Sequence, residues 1–291
     1  MENYKKLIGS ITIITFSYAA SRLLGFFREI LLANWAGVSE ATDTLDLAFI
    51  IPDFLFYLSA GGYLAITLIP IKSKKKKSEL NNYFLSILYG MSLIFVIFSL
   101  ITYSFRFQFA ELLGVTSLDF FVEVFTPIIF SQVFFFVGAI LMSYQYFHDN
   151  FKYAAIAPVV YNSTIIFFGW INSSTPEGTI KGFAIGTLIG SVLGHFLIQI
   201  YGAKRSGLSF YLISPKFIHI KDYITISLPL ILGQSIAVID EQLFRFFGSF
   251  LAAGSIATFR YARRIALLPV GIVAQAVGVA SYPLLSRLFQ K

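Results

Sequence analysis

Six arginines stand inside or at the edges of long apolar stretches: Arg22, Arg28, Arg245, Arg260, Arg263 and Arg264. A guanidinium is always charged, and its rigid fork of donors fits phosphate and carboxylate. Held at membrane depth, such a charge costs several kcal/mol unless it is paired or faces water, so it marks function. Acids accompany the arginines. Glu29 follows Arg28, Asp43, Asp46 and Asp53 lie in the second apolar stretch, and Asp240 and Glu241 precede Arg245. At about 100° per residue, Arg22 and Glu29 fall on nearly one helical stripe, while Arg22 and Arg28 are about 120° apart. By the same geometry the three aspartates span about 80° of arc, and Arg260, Arg263 and Arg264 span about 100°. Glu241 and Arg245 have the favourable i, i+4 spacing. This pattern suits the binding of an anion. It does not suit catalysis, since no nucleophile and base stand together.

Other chemistries are excluded by residue type. There is no Cys, hence no disulfide, thiol nucleophile or thiolate metal site. His148, His195 and His219 are scattered without ligand spacing, so no metal and no cofactor is implied.

The elements that carry these residues are membrane helices. The chain of 291 residues is 57% hydrophobic and 13% charged, with 33 Phe, 16 Tyr and a mean hydropathy of +0.76. A soluble chain is about a quarter charged. About eight helices are expected, at about 8–35, 41–71, 83–107, 119–147, 153–173, 179–203, 222–248 and 255–285. Each exceeds or approaches the roughly 20 residues that cross a bilayer. The runs are too long and too evenly apolar for barrel strands, so the fold class is an all-α polytopic bundle. The polar stretch 204–221 reads as a cytoplasmic linker. It separates a first six-helix lobe, 1–203, from the first two helices of a second lobe, 222–291. Pro52, Pro127, Pro158, Pro229 and Pro269 lie within spans and permit bends.

Charge in the loops sets the direction. With the N-terminus inside, the inner loops and ends carry Lys5, Lys6, Lys72, Lys74, Lys75, Lys76, Lys77, Lys152, Lys204, Arg205, Lys216, Lys221, Arg287 and Lys291, and the outer loops carry none. The positive-inside rule then places both termini in the cytoplasm, with an even number of spans. The net charge of +7 is accounted for by topology and lipid head groups, not by nucleic acid. Arg22 interrupts the first apolar stretch, which therefore reads as a retained helix and not as a cleaved leader.

Depth suggests pairings. If spans one and two are straight and antiparallel, Arg28 meets Asp46 and Arg22 lies near Asp53. Arg260, Arg263 and Arg264 would then exceed their local acids and face an open cavity. A faint repeat supports two bundles: Asp43 and Asp46 stand before Pro52 as Arg260 and Arg263 stand before Pro269.

At these residues the chain resembles a known family. Ser21-Arg22-Leu23-Leu24-Gly25-Phe26-Phe27-Arg28-Glu29 resembles the first-helix signature of the MurJ (MviN) lipid II flippases of the MOP exporter superfamily. Ala41-Thr42-Asp43, Ala48-Phe49 and Pro52 resemble their second helix. Gly254-Ser255, Tyr261-Ala262-Arg263-Arg264, Leu268-Pro269-Val270-Gly271 and Pro283-Leu284-Leu285-Ser286-Arg287 resemble their eighth. The resemblance implies two six-helix lobes around a cationic cavity. It also implies alternating-access transfer of an undecaprenyl-pyrophosphate-linked peptidoglycan precursor across the inner membrane, with no chemistry performed. By residue match it assigns Arg22, Arg28 and Arg264 to the cavity arginines and Asp43 to the second-helix acid, with Arg260 and Arg263 beside them. Asp46, Asp53, Glu29, Asp240, Glu241 and Arg245 would serve charge pairing. The implied partners are the lipid-linked pyrophosphate, membrane lipids and a coupling ion.

Three departures accompany the match. Phe56 and Tyr57 stand where some members have an arginine pair, Arg263 stands where an acid is usual, and the chain stops after the eighth span. It therefore reads as a piece of a longer protein or as a short homologue. Two alternatives remain open: a flippase for another lipid-linked oligosaccharide, such as O-antigen or capsule, and a truncated membrane interaction subunit that does not transport. A drug antiporter would need an acid-dominated site, and a membrane glycosyltransferase would need an Asp-rich loop outside the bilayer.

Overall fold

The computed structural model describes residues 20–59, 77–148 and 150–267, and every regular element among them is helical. In chain order these are α1 (20–35), α2 (Glu40–Ala48), α3 (Ile50–Ser59), α4 (Lys77–Ser104), α5 (Arg106–Leu112), α6 (Leu118–Phe147), α7 (Lys152–Ile171), α8 (Pro176–Gly190), a π-helical turn (Ser191–Leu197), α9 (Ile198–Arg205), α10 (Phe217–Gly248) and α11 (255–267). Among the described residues four stretches are long and apolar enough to cross a membrane: Glu79–Ser104, Leu118–Phe147, Lys152–Ile171 and Pro176–Arg205. They coincide with expected spans three to six, and the described parts of the other four expected spans are helical. The Lys72–Lys77 run up to Lys76, Pro70, Pro269 and Pro283 lie outside the described residues.

Helix starts follow local chemistry. The Ser39 hydroxyl accepts from the Thr42 N–H at 3.3 Å and begins α2. The Thr175 hydroxyl accepts from the Gly178 N–H at 3.0 Å and begins α8, with Pro176 as its first residue. Span two is broken between Ala48 and Ile50. Pro52 has no N–H for the Ala48 carbonyl and its ring crowds it, so the helix restarts one residue later.

The long α6 forms the axis of the core. One buried cluster joins its C-terminal half to α4, α9 and α10 through Phe84, Phe136, Tyr144 and Tyr223. A second joins its N-terminal half to α1, α2, α7 and α8 through Leu32, Leu45, Phe125, Ile165 and Phe183.

Among the described residues the most extensive helix contact is between α7 and the α8 span. Gly182, Gly186, Gly190 and Gly194 recur every fourth residue and lay the backbone of that span on α7. A methyl group on Gly186 would fall 2.6 Å from the Ile165 Cα, and one on Gly194 would fall 2.7 Å from the Ala157 carbonyl oxygen. Small residues let membrane helices approach this closely. Four residues of α-helix overshoot one turn by about 40°, so a four-residue stripe drifts around the helix. The wider π turn at Ser191–Leu197 rotates less per residue and returns Gly194 to α7. The Gln199 side chain caps this turn. Its Nε2 donates to the Tyr153 carbonyl at 3.1 Å and the Gly194 carbonyl at 3.5 Å, while its Oε1 accepts from Gln145 Nε2 at 2.7 Å.

Candidate functional site: a charged cavity between four helical segments

α1, α2–α3, α10 and α11 converge on a cavity of about 320 Å³. A charge-bearing residue reaches it from each: Arg28 and Glu29 from α1, Asp46 and Asp53 from α2 and α3, Glu241 and Arg245 from α10, Arg260 and Arg264 from α11. An adjoining space of about 140 Å³ is lined by Arg245, Arg260, Arg263 and Arg264.

Within the cavity the charges form two groups. In the first, Glu29 is buried and accepts from two arginines. Arg28 Nη2 donates to its Oε1 at 2.9 Å, and Arg260 Nη1 donates to its Oε2. Arg260 Nε also lies 2.8 Å from Asp46 Oδ2, an ion pair whose N–H does not point at the oxygen. Arg28 turns its other nitrogen, Nη1, to Asn162 Oδ1 on α7 at 3.0 Å, and Asn162 Nδ2 in turn donates to the Pro158 carbonyl at 2.8 Å. In the second group Arg245 bridges α10 to α3. Its Nη1 donates to Asp53 Oδ2 and its Nη2 to Glu241 Oε1, both at 2.8 Å.

Arg264 is the exception. It is exposed, lines both spaces and makes no ion pair among the described residues. Arg263 instead pairs with Asp240 Oδ2 at 3.1 Å in an exposed contact. Arg22 is exposed on α1 and is not among the residues lining the cavity.

Asp43 does different work. Its Oδ2 accepts from the Gly254 N–H at 2.6 Å and its Oδ1 from the Ala257 N–H at 2.7 Å. Both oxygens are thus spent on the N-terminus of α11, whose first amides have no partner within their own helix. Gly254 makes this approach with φ +85°, and a methyl group on it would fall 2.6 Å from Val38 Cγ1. Asp43 therefore sets the position of α11 and does not line the cavity.

Three expectations need correction. Depth pairs Arg28 with Asp46, whereas the structure gives Asp46 to Arg260 and Arg28 to Glu29 and Asn162. Depth pairs Arg22 with Asp53, whereas Asp53 is held by Arg245. The arginines of span eight are not collectively short of acids: Arg260 and Arg263 are paired and Arg264 stands open. The cause is common to all three. Span two is broken at Phe49, and its acidic side faces α10 and α11, so lateral order outweighs depth. Asn162 was missed by sequence reasoning. Its signal was present, since an amide inside an apolar span needs a partner.

Comparison with known proteins agrees with this architecture. Residues 32–291 match the family model described as Lipid II flippase MurJ. A lipid II flippase MurJ from Thermosipho africanus is 32% identical over 64% of this chain and 40% of its own length. A probable lipid II flippase MurJ from Buchnera aphidicola subsp. Acyrthosiphon pisum is 26% identical over 99% of this chain and 58% of its own length. A solved lipid II flippase MurJ in an inward closed conformation superposes with a TM-score of 0.74 at 26% identity, covering 89% of this chain and 55% of that one. The chain thus spans about half the length of the relatives it matches. From the matched family model and the shared helical frame, the chain belongs to the MurJ lipid II flippase family.

Proposed function

We propose that this chain acts in the inner membrane of a bacterium as the first lobe and the opening helices of a flippase for lipid II, an undecaprenyl-pyrophosphate-linked precursor. The lobe would be 1–203, joined by the cytoplasmic linker 204–221 to a second lobe beginning at 222, with both termini cytoplasmic. The pyrophosphate would be gripped in the cavity while the isoprenoid tail stays in lipid. No bond is made or broken, so the protein is a transporter and not an enzyme.

The single observation that carries this reading is the unequal state of the cavity arginines. Arg28, Arg245 and Arg260 are each held by carboxylates, whereas Arg264 is open to the cavity. An entering pyrophosphate meets Arg264 first, then competes with Glu29 and Asp46 for Arg260, and with Glu29 for Arg28. Arg260 bridges α11 to α1 and α2, so taking it from its acids loosens α1 and α2 from α11. That is the coupling between binding and movement that alternating access requires. Arg263 lines the adjoining space, where it would draw the anion in. Membrane lipids surround the bundle, and a coupling ion would act beyond the groups described here.

The test is binding of undecaprenyl pyrophosphate to the purified chain in nanodiscs. Wild type should bind, and Arg264→Ala should weaken binding about tenfold or more, the loss of a charge-assisted contact. Arg264→Lys should recover only part, for want of the bidentate fork. Equal binding by wild type and Arg264→Ala would remove the reading.

A further inference from the structure

Residues 206–216 connect α9 to α10 without forming a helix, and they are strapped to α4. Asn81 makes two hydrogen bonds to Ser209: its Nδ2 donates to the carbonyl at 3.0 Å and its Oδ1 accepts from the N–H at 3.2 Å. The Tyr89 hydroxyl donates to the Tyr211 carbonyl at 3.2 Å, and the Tyr211 hydroxyl donates to Asn82. The Lys216 N–H reaches the Ser86 hydroxyl at 3.5 Å. A methyl group on Gly90 would fall 3.3 Å from Pro215 Cβ, so the strap lies flat on α4.

Fastened in this way, the strap and the start of α10 turn apolar side chains away from the protein. Leu212 is 96% exposed, Phe217 77% and Ile218 55%. Exposed cations flank them: Lys204 and Arg205 at the end of α9, Lys216 on the strap and Lys221 in α10. No Asp or Glu occurs from 178 to 221. Two constraints then meet. Irregular backbone does not enter the hydrocarbon of a bilayer, yet these apolar side chains are left uncovered by the described residues. Only the boundary between head groups and acyl chains satisfies both. Tyr201 and Tyr211, both half-exposed, are the residue type that favours that layer.

We propose that the strap is a membrane-surface anchor selective for anionic phospholipid. Leu212, Phe217 and Ile218 seat at the head-group boundary, and Lys204, Arg205, Lys216 and Lys221 hold the phosphate-bearing head groups. The occupant is the bulk anionic phospholipid of the surrounding monolayer. The anchor stands apart from the charged cavity and does not depend on what that cavity binds.

The absence of cysteine allows a single probe. Leu212→Cys carrying a nitroxide is reconstituted in nanodiscs of phosphatidylcholine alone and of phosphatidylcholine with phosphatidylglycerol. With phosphatidylglycerol, the label should collide with oxygen in preference to a water-soluble nickel reagent, at the depth of the head-group boundary. Spin-labelled phosphatidylglycerol should associate with the protein more strongly than spin-labelled phosphatidylcholine. Replacing Lys204, Arg205, Lys216 and Lys221 by Gln should lower that preference, by roughly fivefold for each cation that reaches the surface, with helicity unchanged by circular dichroism. A label at 212 that stays in water in both membranes would overturn the proposal. So would equal association of the two lipids, or a preference the Gln variants leave intact.

Discussion

Glu29 is 7% exposed and accepts from both Arg28 and Arg260, so its single charge is shared between two guanidinium groups from different helices. Removing one partner of a buried charge group is more disruptive than removing the whole group. Glu29→Gln keeps the shape and removes the charge. It should destabilise the folded chain by about 3 kcal/mol, read as a lower midpoint of thermal unfolding in detergent. Arg264→Ala should leave that midpoint nearly unchanged, because no ion pair among the described residues is lost. The contrast would separate a cation that holds the bundle together from one that does not. Asp53 and Arg245 join α3 to α10, and their substitutions should be non-additive: in a cycle of Asp53→Asn and Arg245→Gln the coupling should be about 1–3 kcal/mol. Additive effects would mean that the contact carries no energy. That Arg28, Arg260 and Arg264 stand at the cavity was legible in the sequence, since an arginine in an apolar span announces itself, whereas Arg22 and Asp43, expected with them, do not line it. Their partners were not. Pairing depends on which helix lies beside which, and helical spacing within one span carries no such information.

At the scale of elements, the glycine stripe decides how α7 and α8 meet. Gly182, Gly186, Gly190 and Gly194 bring backbone to backbone, so a side chain there must push two spans apart. Gly186→Val should destabilise the chain by about 1–3 kcal/mol through overpacking, whereas Gly25→Val, at a site with open space around it, should be close to neutral. Thermal unfolding of the two variants side by side checks this. The four-residue period is plain in the sequence and could have marked the α7–α8 contact. The π turn could not have been read there, because it answers a packing demand from α7. Helix starts were legible where a capping hydroxyl stood, at Ser39 and Thr175. The break in span two was foreshadowed by Pro52, though its effect on the aim of Asp46 and Asp53 was not.

For the molecule as a whole, apolar run length and loop charge suggested an eight-span plan; the described helices follow it except that α5 lies mostly in the expected loop after span three and α10 begins at Phe217, inside the expected linker. The orientation is a separate proposal, argued from where lysines and arginines lie and not from packing. A chain without cysteine is suited to single-site labelling. A Cys at Ser209 should react with an impermeant reagent only after the membrane is opened, and a Cys at Glu177 should react in intact cells. The reverse pattern would invert the assignment of every loop. The charged cavity was legible only as a gathering of arginines and acids, since the sequence names charges but not the balance that leaves Arg264 open.

The carboxylate of Asp43 at the head of α11 also bears on how the protein is made. Synthesis runs from the N-terminus, and earlier segments fold first. When 255–267 emerges, its first amides meet an acceptor presented by α2, a helix inserted long before. The last described helix is therefore docked on a site that the earlier ones have already built. Asp43→Asn, which weakens that acceptor, should leave the preceding spans inserted while a protease-sensitive site appears near Gly254. Assembly of the second bundle would then be templated by the first, one carboxylate serving as the point of registration.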